Sequence, residues 1–411
     1  MDITITPTKL SGTVFPPPSK SQAHRALIAA ALADGESVIS NVAFSQDIEA
    51  TLNCLENLGA QFERDGNTVT VRGMAASAMS PLRRLAYPHL DCGESGSTLR
   101  FLIPIALAVR GGGIFTGRGR LMERPQKPYF DLFDEKGIFY EQKDGVLTVT
   151  GTLTPGEYRL PGNVSSQFVT GLLYALPLRD GDSKIVLTSP LESRGYVDMT
   201  LDVLRQSGIT VEERENGFFI PGKQIYQPQD FIVEADWSQA AFWYAAKWLG
   251  SPVEVGGMDP SSAQGDAAVQ TQIRELSQPG DVDIDVSDCP DLVPPLAAMA
   301  ALRPGITRLT NAARLRIKES DRLAAVTQVL NALGAQVAEY PDSLTIYGKK
   351  ALIGGVKVDA FNDHRIAMMA AIAATRCEKP VTVLGAECVA KSYPNFWEEY
   401  ERLGGSLFLE S

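Results

Sequence analysis

Histidine is scarce in these 411 residues: only His24, His89 and His364 occur, none paired at a metal-ligating spacing, so no catalytic metal is expected. The five cysteines (Cys54, Cys92, Cys289, Cys377, Cys388) form no CxxC and are odd in number, which fits free thiols in a reducing, cytoplasmic compartment better than disulfides or zinc. No apolar run reaches about 18 residues, and the opening MDITITPTKL lacks the basic flank and apolar stretch of a signal peptide; neither membrane insertion nor export is expected. Positive charge is in the minority, with 38 Lys and Arg against 49 Asp and Glu and a net charge of −11. That balance excludes nucleic acid as the main partner but leaves room for a local basic pocket. No GxGxxG opens a nucleotide fold. The segment GESGS lacks the GK of a phosphate loop and, with Ser97 in its last place, misses the GxSxG elbow of hydrolases. No bound cofactor is implied.

What is present is repetition. With 44% hydrophobic residues the chain has ample core material, and a usual domain size of about 100 to 200 residues suggests two units. Apolar helical runs recur as AHRALIAAAL, TLRFLIPIALAV, FVTGLLYALPL, AAFWYAAKWL, LVPPLAAMAAL and HRIAMMAAIAA. Each precedes a strand-like stretch (ESVISNV, GGIFTG, SKIVLTS, SPVEVGG, GITRLTN, KPVTVLG), then an amphipathic helix with a glycine stop, such as DIEATLNCLENLG or DRLAAVTQVLNALG. Four of these helices lead into hairpins such as AQFERDGNTVTVRG and AQVAEYPDSLTIYG. Taking Ser21, Gly96, Ser166, Ser238, Asp291 and Asp363 as equivalent anchors, successive separations are 75, 70, 72, 53 and 72 residues, with the fourth copy degenerate.

One such unit cannot bury its own apolar face, so the copies are expected to pack together. The expected fold is α/β, with two similar domains, each of three helix, strand, helix, hairpin repeats. The sixth copy ends on the single strand SLFLES, while DITIT and GTVF precede the first. Residues 16–231 are therefore expected as an inserted domain with repeats one to three, and residues 1–15 with 232–411 as a discontinuous domain with repeats four to six. The crossings near Phe15–Pro18 and Gln229–Glu234 carry proline or are short, which suits a hinge closing a cleft between the halves. A rigid two-domain body is the alternative.

The least hydrophobic parts of the repeats lie just before the first helices: PPPSKSQAHR, CGESGSTLR, GNVSSQ, CPD and FNDHR. Serine and glycine there leave backbone N–H groups free for an anion, and the helix dipole favours it. Ordinary capping explains any one of them. It does not explain the company of Lys20, Arg25, Arg100 and Arg365, since caps need no cations. Further cations stand in RGRLMERP (Arg118, Arg120, Arg124), in ARLRIKESDR (Arg314, Arg316, Lys318, Arg322) and at Lys391 in AKSYPNF, and each run alone reads as a solvated face. The second places Lys318, Glu319 and Arg322 at an expected helix start, with Leu323 and Val326 turned to the core; a Lys/Glu pair beside arginine suits proton transfer near a bound phosphate. Asp291, before an apolar helix, reads equally as an N-cap or as a base.

Taken together, PPSKSQAHRALIAAALADG, ESGSTLRFL, ERP, SSQF, PDLVPPLAAMAA, LRIKESDRL, NDHRIAM and AKSYPNF resemble, in order and over essentially the whole chain, the EPSP synthase family of enolpyruvyl transferases. The resemblance implies two domains of three similar units in the inside-out α/β barrel style, joined by two crossings. It implies attack of the 5-hydroxyl of shikimate 3-phosphate on carbon 2 of phosphoenolpyruvate, protonation of the methylene, and loss of phosphate from a tetrahedral intermediate, without metal or cofactor. Matching positions suggest Lys20, Ser21, Arg25, Ser165, Ser166, Gln167, Ser193, Asp291 and Lys318 for shikimate 3-phosphate. For phosphoenolpyruvate they suggest Lys20, Gly96, Arg124, Gln167, Arg322, Arg365 and Lys391. Asp291, Glu319 and Lys20 are the proton-transfer candidates, and which of them protonates the methylene stays open. Arg314 departs from the family's asparagine. A monomer acting on small anionic substrates, with no membrane or nucleic-acid partner, is implied.

Two other readings bear weighing. The related transferase that places enolpyruvate on UDP-N-acetylglucosamine would carry an asparagine-bearing GAKN near its amino terminus and a catalytic-loop cysteine; here PPSKSQAHR and the cysteine-free GRGRLMERP stand instead. A non-catalytic anion-binding repeat protein would have no use for an acid/base pair beside cations.

Overall fold

The computed structural model describes residues 1–75 and 86–410. The chain forms two compact units, Pro18–Glu234 and Met1–Pro17 with Ala235–Ser411. The crossings fall a few residues beyond the positions 15/16 and 231/232 expected from sequence. The reason is local: Ser19 N–H donates to Glu234 O (2.7 Å) and Asp236 N–H to Pro17 O (2.8 Å), so each unit keeps its hold on the chain up to the last proline.

Among the described residues of Pro18–Glu234, three four-stranded sheets share one order: a parallel edge strand, a central strand, then an antiparallel hairpin. In the second of them His89–Asp91 runs parallel to Gly112–Thr116, which pairs antiparallel with Val146–Thr150 and through it with Phe139–Lys143. The hairpin turns at Asp144 and Gly145, both with positive φ (51° and 76°), the requirement of a tight turn matched to strand twist. Strands such as Thr68–Arg72 bury alternate residues, Val69 and Val71, because one face alone meets helices.

The first helices of the repeats, Lys20–Leu32, Gly96–Arg110 and Ser166–Ala175, are buried nearly all round, which is why their sequences show apolar residues on every face rather than a stripe. The amphipathic second helices, such as Gln46–Leu58, keep one wet side. Pro104 inside Gly96–Arg110 has no N–H to give to Arg100 O; the Tyr129 hydroxyl fills that gap at 2.8 Å, with Phe168 O a further 3.0 Å contact. Gly171 lies at the same crossing, where an added Cβ would stand 2.5 Å from Arg100 O.

His24 sits in this helix layer, wholly buried, with Nδ1 2.8 Å from Thr51 Oγ1. Burial, and then the nearby charges of Lys20 and Arg25, hold its pKa well below the ordinary histidine value, so it is neutral in the folded state. The unfolded chain takes up this proton near pH 6.5 and the native protein does not. Stability attributable to His24 is therefore complete above pH 6.5 and is lost as pH falls below it, at about 1.4 kcal/mol per pH unit. Urea unfolding of the parent and His24→Asn between pH 6.5 and 5.5 should show the slope in the parent and a shallower one in the variant; equal slopes would refute the assignment.

The other unit contains the same sheet pattern in Val282–Asp285, Ile306–Thr310, Ser343–Tyr347 and Gln336–Tyr340. The amino-terminal strands supply what its remaining repeats lack. Asp2–Thr6 lies between Val381–Leu384 and Ser406–Glu410, antiparallel to both, and Gly12–Val14 runs parallel to Val253–Val255 of the degenerate fourth repeat. All five cysteines are buried and unpaired, and among the described residues no helix is long and apolar enough to cross a membrane.

Candidate active site

In the Pro18–Glu234 unit the cations stand at helix starts. Lys20 opens Lys20–Leu32, where Ser19 is the N-cap, and its Nζ meets Asp47 Oδ2 at 2.8 Å. One turn on, Arg25 is 2% exposed and donates from Nε to Thr200 Oγ1 (2.8 Å), from Nη1 to Ser21 O (2.6 Å) and from Nη2 to Tyr196 O (2.8 Å), with its guanidinium 5.2 Å from the Phe101 ring centre. Burial lowers its pKa from the ordinary arginine value, the mark of a desolvated cation. Through these bonds Arg25 joins Ser21 to the start of the helix Arg194–Gln206. The residue before that helix, Ser193, is buried and left-handed (φ 56°), a conformation costly for a residue with a Cβ.

A second group gathers round Gly96–Arg110 and Ser166–Ala175. Ser165 caps the latter by accepting from Gln167 N. The Gln167 side chain is held at both ends: Oε1 accepts from Arg100 Nη1 (2.8 Å) and Nε2 donates to Ser97 Oγ (3.0 Å). Ser166 is buried in the first turn. The guanidinium of Arg124 lies against Gly96, whose missing Cβ would come within 2.8 Å of Nη1 and 3.0 Å of Cζ. Arg124 is 6% exposed, and its Nε has no hydrogen-bond partner among the described residues. No carboxylate is bonded to Arg25 or Arg124 among the described residues.

The other unit handles its charges differently. Arg322, 1% exposed, donates from Nε to Asp363 Oδ2 (2.7 Å), from Nη2 to Asp363 Oδ1 (3.2 Å) and Glu319 Oε2 (2.8 Å), and from Nη1 to Asp291 Oδ1 (2.8 Å). The Asp291 carboxylate also receives Arg365 Nη2 on Oδ2 (2.9 Å) and has Lys318 Nζ 3.5 Å from Oδ1. Arg365 Nη2 reaches Ser238 Oγ at 2.9 Å. Three carboxylates thus face three cations. Within this cluster the Arg322 pKa is raised: burial works against the charge, but Asp363, Glu319 and Asp291 together outweigh it. Lys318 goes the other way, lowered chiefly by burial and only partly supported by Asp291. Lys391 is buried beside this cluster in the chain fold, donating from Nζ to Asn362 O at 2.6 Å, next to Asp363.

Two expectations change. Asp291 is not an N-cap: it lies within the short turn Pro290–Leu292, whose N-cap is Cys289, and its carboxylate faces Arg322, Arg365 and Lys318. Lys318 and Glu319 do not begin the helix. Asp321 caps Arg322–Ala332 by accepting from Ala324 N (3.2 Å), so only Arg322 of the three is helical and the other two lie in the bend before it, while Leu323 and Val326 are fully buried as expected. Arg314 donates to Ser287 O, a backbone contact.

Sequence reasoning passed over Asp363 and Asp47, the acids that orient Arg322 and Lys20, and left Arg100 without a role. Asp363 offered one signal, an acid immediately before the helix His364–Ala374, where it does cap Arg365 N (3.0 Å).

The family model described as EPSP synthase (3-phosphoshikimate 1-carboxyvinyltransferase) matches residues 5–400. The chain is 47% identical to the 3-phosphoshikimate 1-carboxyvinyltransferase of Clostridium kluyveri over 98% of each chain. To that of Clostridium perfringens strain 13 it is 46% identical, over 98% of this chain and 99% of the relative. Among solved structures, an EPSP synthase from Acinetobacter baumannii superposes with a TM-score of 0.80 at 24% identity, covering 99% of this chain and 100% of that one. The enolpyruvyl transferase NikO from Streptomyces tendae gives 0.78 at 19%, covering 99% and 98%. At those identities the two structures speak to the fold alone.

Proposed function

The chain belongs to the EPSP synthase family, and from that premise we infer how its two charge clusters divide the family's reaction. The enzyme transfers the enolpyruvyl group of phosphoenolpyruvate to the 5-hydroxyl of shikimate 3-phosphate and releases phosphate, in the shikimate pathway. The observation that carries the assignment of residues is the pair Arg25 and Arg124, buried guanidinium groups with no bonded carboxylate among the described residues. Buried charges require partners, and anionic substrates are suitable ones.

Lys20, Ser21, Arg25, Ser165, Ser166, Gln167 and Ser193 are assigned to shikimate 3-phosphate, together with Asp291 and Lys318. Gly96, Arg124, Arg322, Arg365 and Lys391, with Lys20 and Gln167 shared, are assigned to phosphoenolpyruvate. Arginine forks match carboxylate and phosphate oxygens two at a time and offset the repulsion of two anions brought to reacting distance. Asp291, Glu319 and Lys20 are the proton-transfer groups: the hydroxyl proton must leave as its oxygen bonds carbon 2, and a proton must reach the methylene as the double bond opens. Elimination then reverses the methylene step and expels phosphate. The protein acts as a monomer in the cytoplasm.

The test is phosphate release with phosphoenolpyruvate and each acceptor separately; turnover with UDP-N-acetylglucosamine alone would overturn the reading. A finer test is Gly96→Ala. Its Cβ would push Arg124 aside, so KM for phosphoenolpyruvate should rise about 10- to 100-fold, with KM for shikimate 3-phosphate nearly unchanged. An equal rise for both substrates would contradict the placement of Arg124.

A further inference from the structure

The helices that carry the Lys20–Asp47 ion pair are joined a second time, one turn further in. Lys20 and His24 stand four apart on Lys20–Leu32, and Asp47 and Thr51 four apart on Gln46–Leu58. His24 Nδ1 therefore meets Thr51 Oγ1 at 2.8 Å behind the 2.8 Å contact of Lys20 Nζ with Asp47 Oδ2. Thr51 Oγ1 lies 2.6 Å from Thr98 Oγ1, and the Thr98 hydroxyl donates at 2.7 Å to Ser95 Oγ, the N-cap of Gly96–Arg110, which also accepts from Thr98 N (3.1 Å). Ser95 is 1% exposed and the other three side chains are fully buried.

Hydrogen counting gives this chain a direction. Each hydroxyl has one hydrogen, so Thr98, which donates to Ser95, accepts from Thr51, and Thr51 accepts from the Nδ1–H of His24. His24 Nε2 is then a bare acceptor, buried and without a partner among the described residues. Aliphatic side chains would fill the same space with no unmet acceptor, so packing alone does not account for the arrangement.

We propose that His24, Thr51 and Thr98 are positioning residues, a one-way hydrogen-bond relay that sets the start of the helix Gly96–Arg110 against the Lys20–Asp47 pair and so places Gly96 for phosphoenolpyruvate. None of the three touches the reacting atoms. The inference rests on the assignment of Gly96 and Arg124 above.

Thr51→Val removes the middle hydroxyl at nearly constant shape. In the full-length enzyme, KM for phosphoenolpyruvate is expected to rise roughly tenfold, while kcat and KM for shikimate 3-phosphate stay within about twofold of the parent. Thr51→Ser, which keeps the hydroxyl, should restore the parental KM. A Thr51→Val enzyme with a lower melting temperature and an unchanged KM would reveal a merely structural contact and overturn the proposal; so would a Thr51→Ser enzyme as impaired as the valine variant. Should circular dichroism show that Thr51→Val does not fold, Thr98→Val, which cuts the relay at the next link, is held to the same criterion. A parent that releases no phosphate from the two substrates would sink the assignment itself, whereas an active parent matched by Thr51→Val sinks only the relay.

Discussion

Asp363→Ala is expected to cost about 3 to 5 kcal/mol of folding stability and, because Arg322 is then no longer aimed, to abolish most turnover. Asp363 is wholly buried and holds Arg322 through two bonds, accepts from the Ser320 hydroxyl (2.9 Å), and caps the backbone N–H of Arg365. Removing it does more than delete an ion pair. It leaves a guanidinium that is 1% exposed with two carboxylates in place of three, and these, Asp291 and Glu319, are the groups proposed to move protons. Arg322 would be drawn toward them. Asp363→Asn separates the effects: its amide oxygen can still cap the helix, so stability should recover in part while the rate does not. Urea unfolding and phosphate release measured on both variants check this. An alanine variant within about 1 kcal/mol of the parent and equally active would show that the cluster tolerates the loss and that Asp363 orients nothing.

Glu319→Gln should do the opposite, sparing the fold and the KM values while lowering kcat by roughly 10²- to 10⁴-fold, the usual contribution of a positioned acid or base. The Glu319 side chain is 18% exposed, and the bond it accepts from Arg322 Nη2 at 2.8 Å can be kept by the glutamine oxygen. Shape and the arginine contact persist; the ability to take and return a proton does not. Both substrates should still bind, which a stopped reaction with bound but unconverted phosphoenolpyruvate would display. A kcat within about threefold of the parent would remove Glu319 from the proton path and leave Asp291 and Lys20 as the remaining candidates.

These two residues also mark how far the sequence could be read. Glu319 was visible as chemistry because Lys318, Glu319 and Arg322 lie within five residues of one another. Asp363 stood in the sequence only as a repeat anchor, because its grip on Arg322 spans 41 residues and no local pattern encodes it. The same holds for Asp47, 27 residues from Lys20. Asp291 shows the limit from another side: an acid before an apolar helix reads as a cap or a base equally well in one dimension, and the cations Arg322, Arg365 and Lys318 that gather on its carboxylate come from distant parts of the chain. The repeats were legible because the same physical demand recurs six times: an apolar helix, a half-buried strand and a glycine stop. The helix boundary before Arg322 was misplaced because Asp321 outcompetes the residues ahead of it as a cap, a contest between neighbours that periodicity does not register.

The strand Asp2–Thr6, held between Val381–Leu384 and Ser406–Glu410, has a bearing on how the protein is made. It is synthesised before the whole of Pro18–Glu234, and both its partners are synthesised after that unit. Pro18–Glu234 is fully synthesised before either partner strand exists, and the 176 residues from Ala235 to Glu410 take about 10 to 35 s more at bacterial-to-eukaryotic elongation rates. Until Val381–Leu384 emerges, the alternating strand DITIT has two open edges, the kind of segment that pairs with the wrong chain. The order of synthesis thus exposes this strand to mispairing however stable the finished fold is.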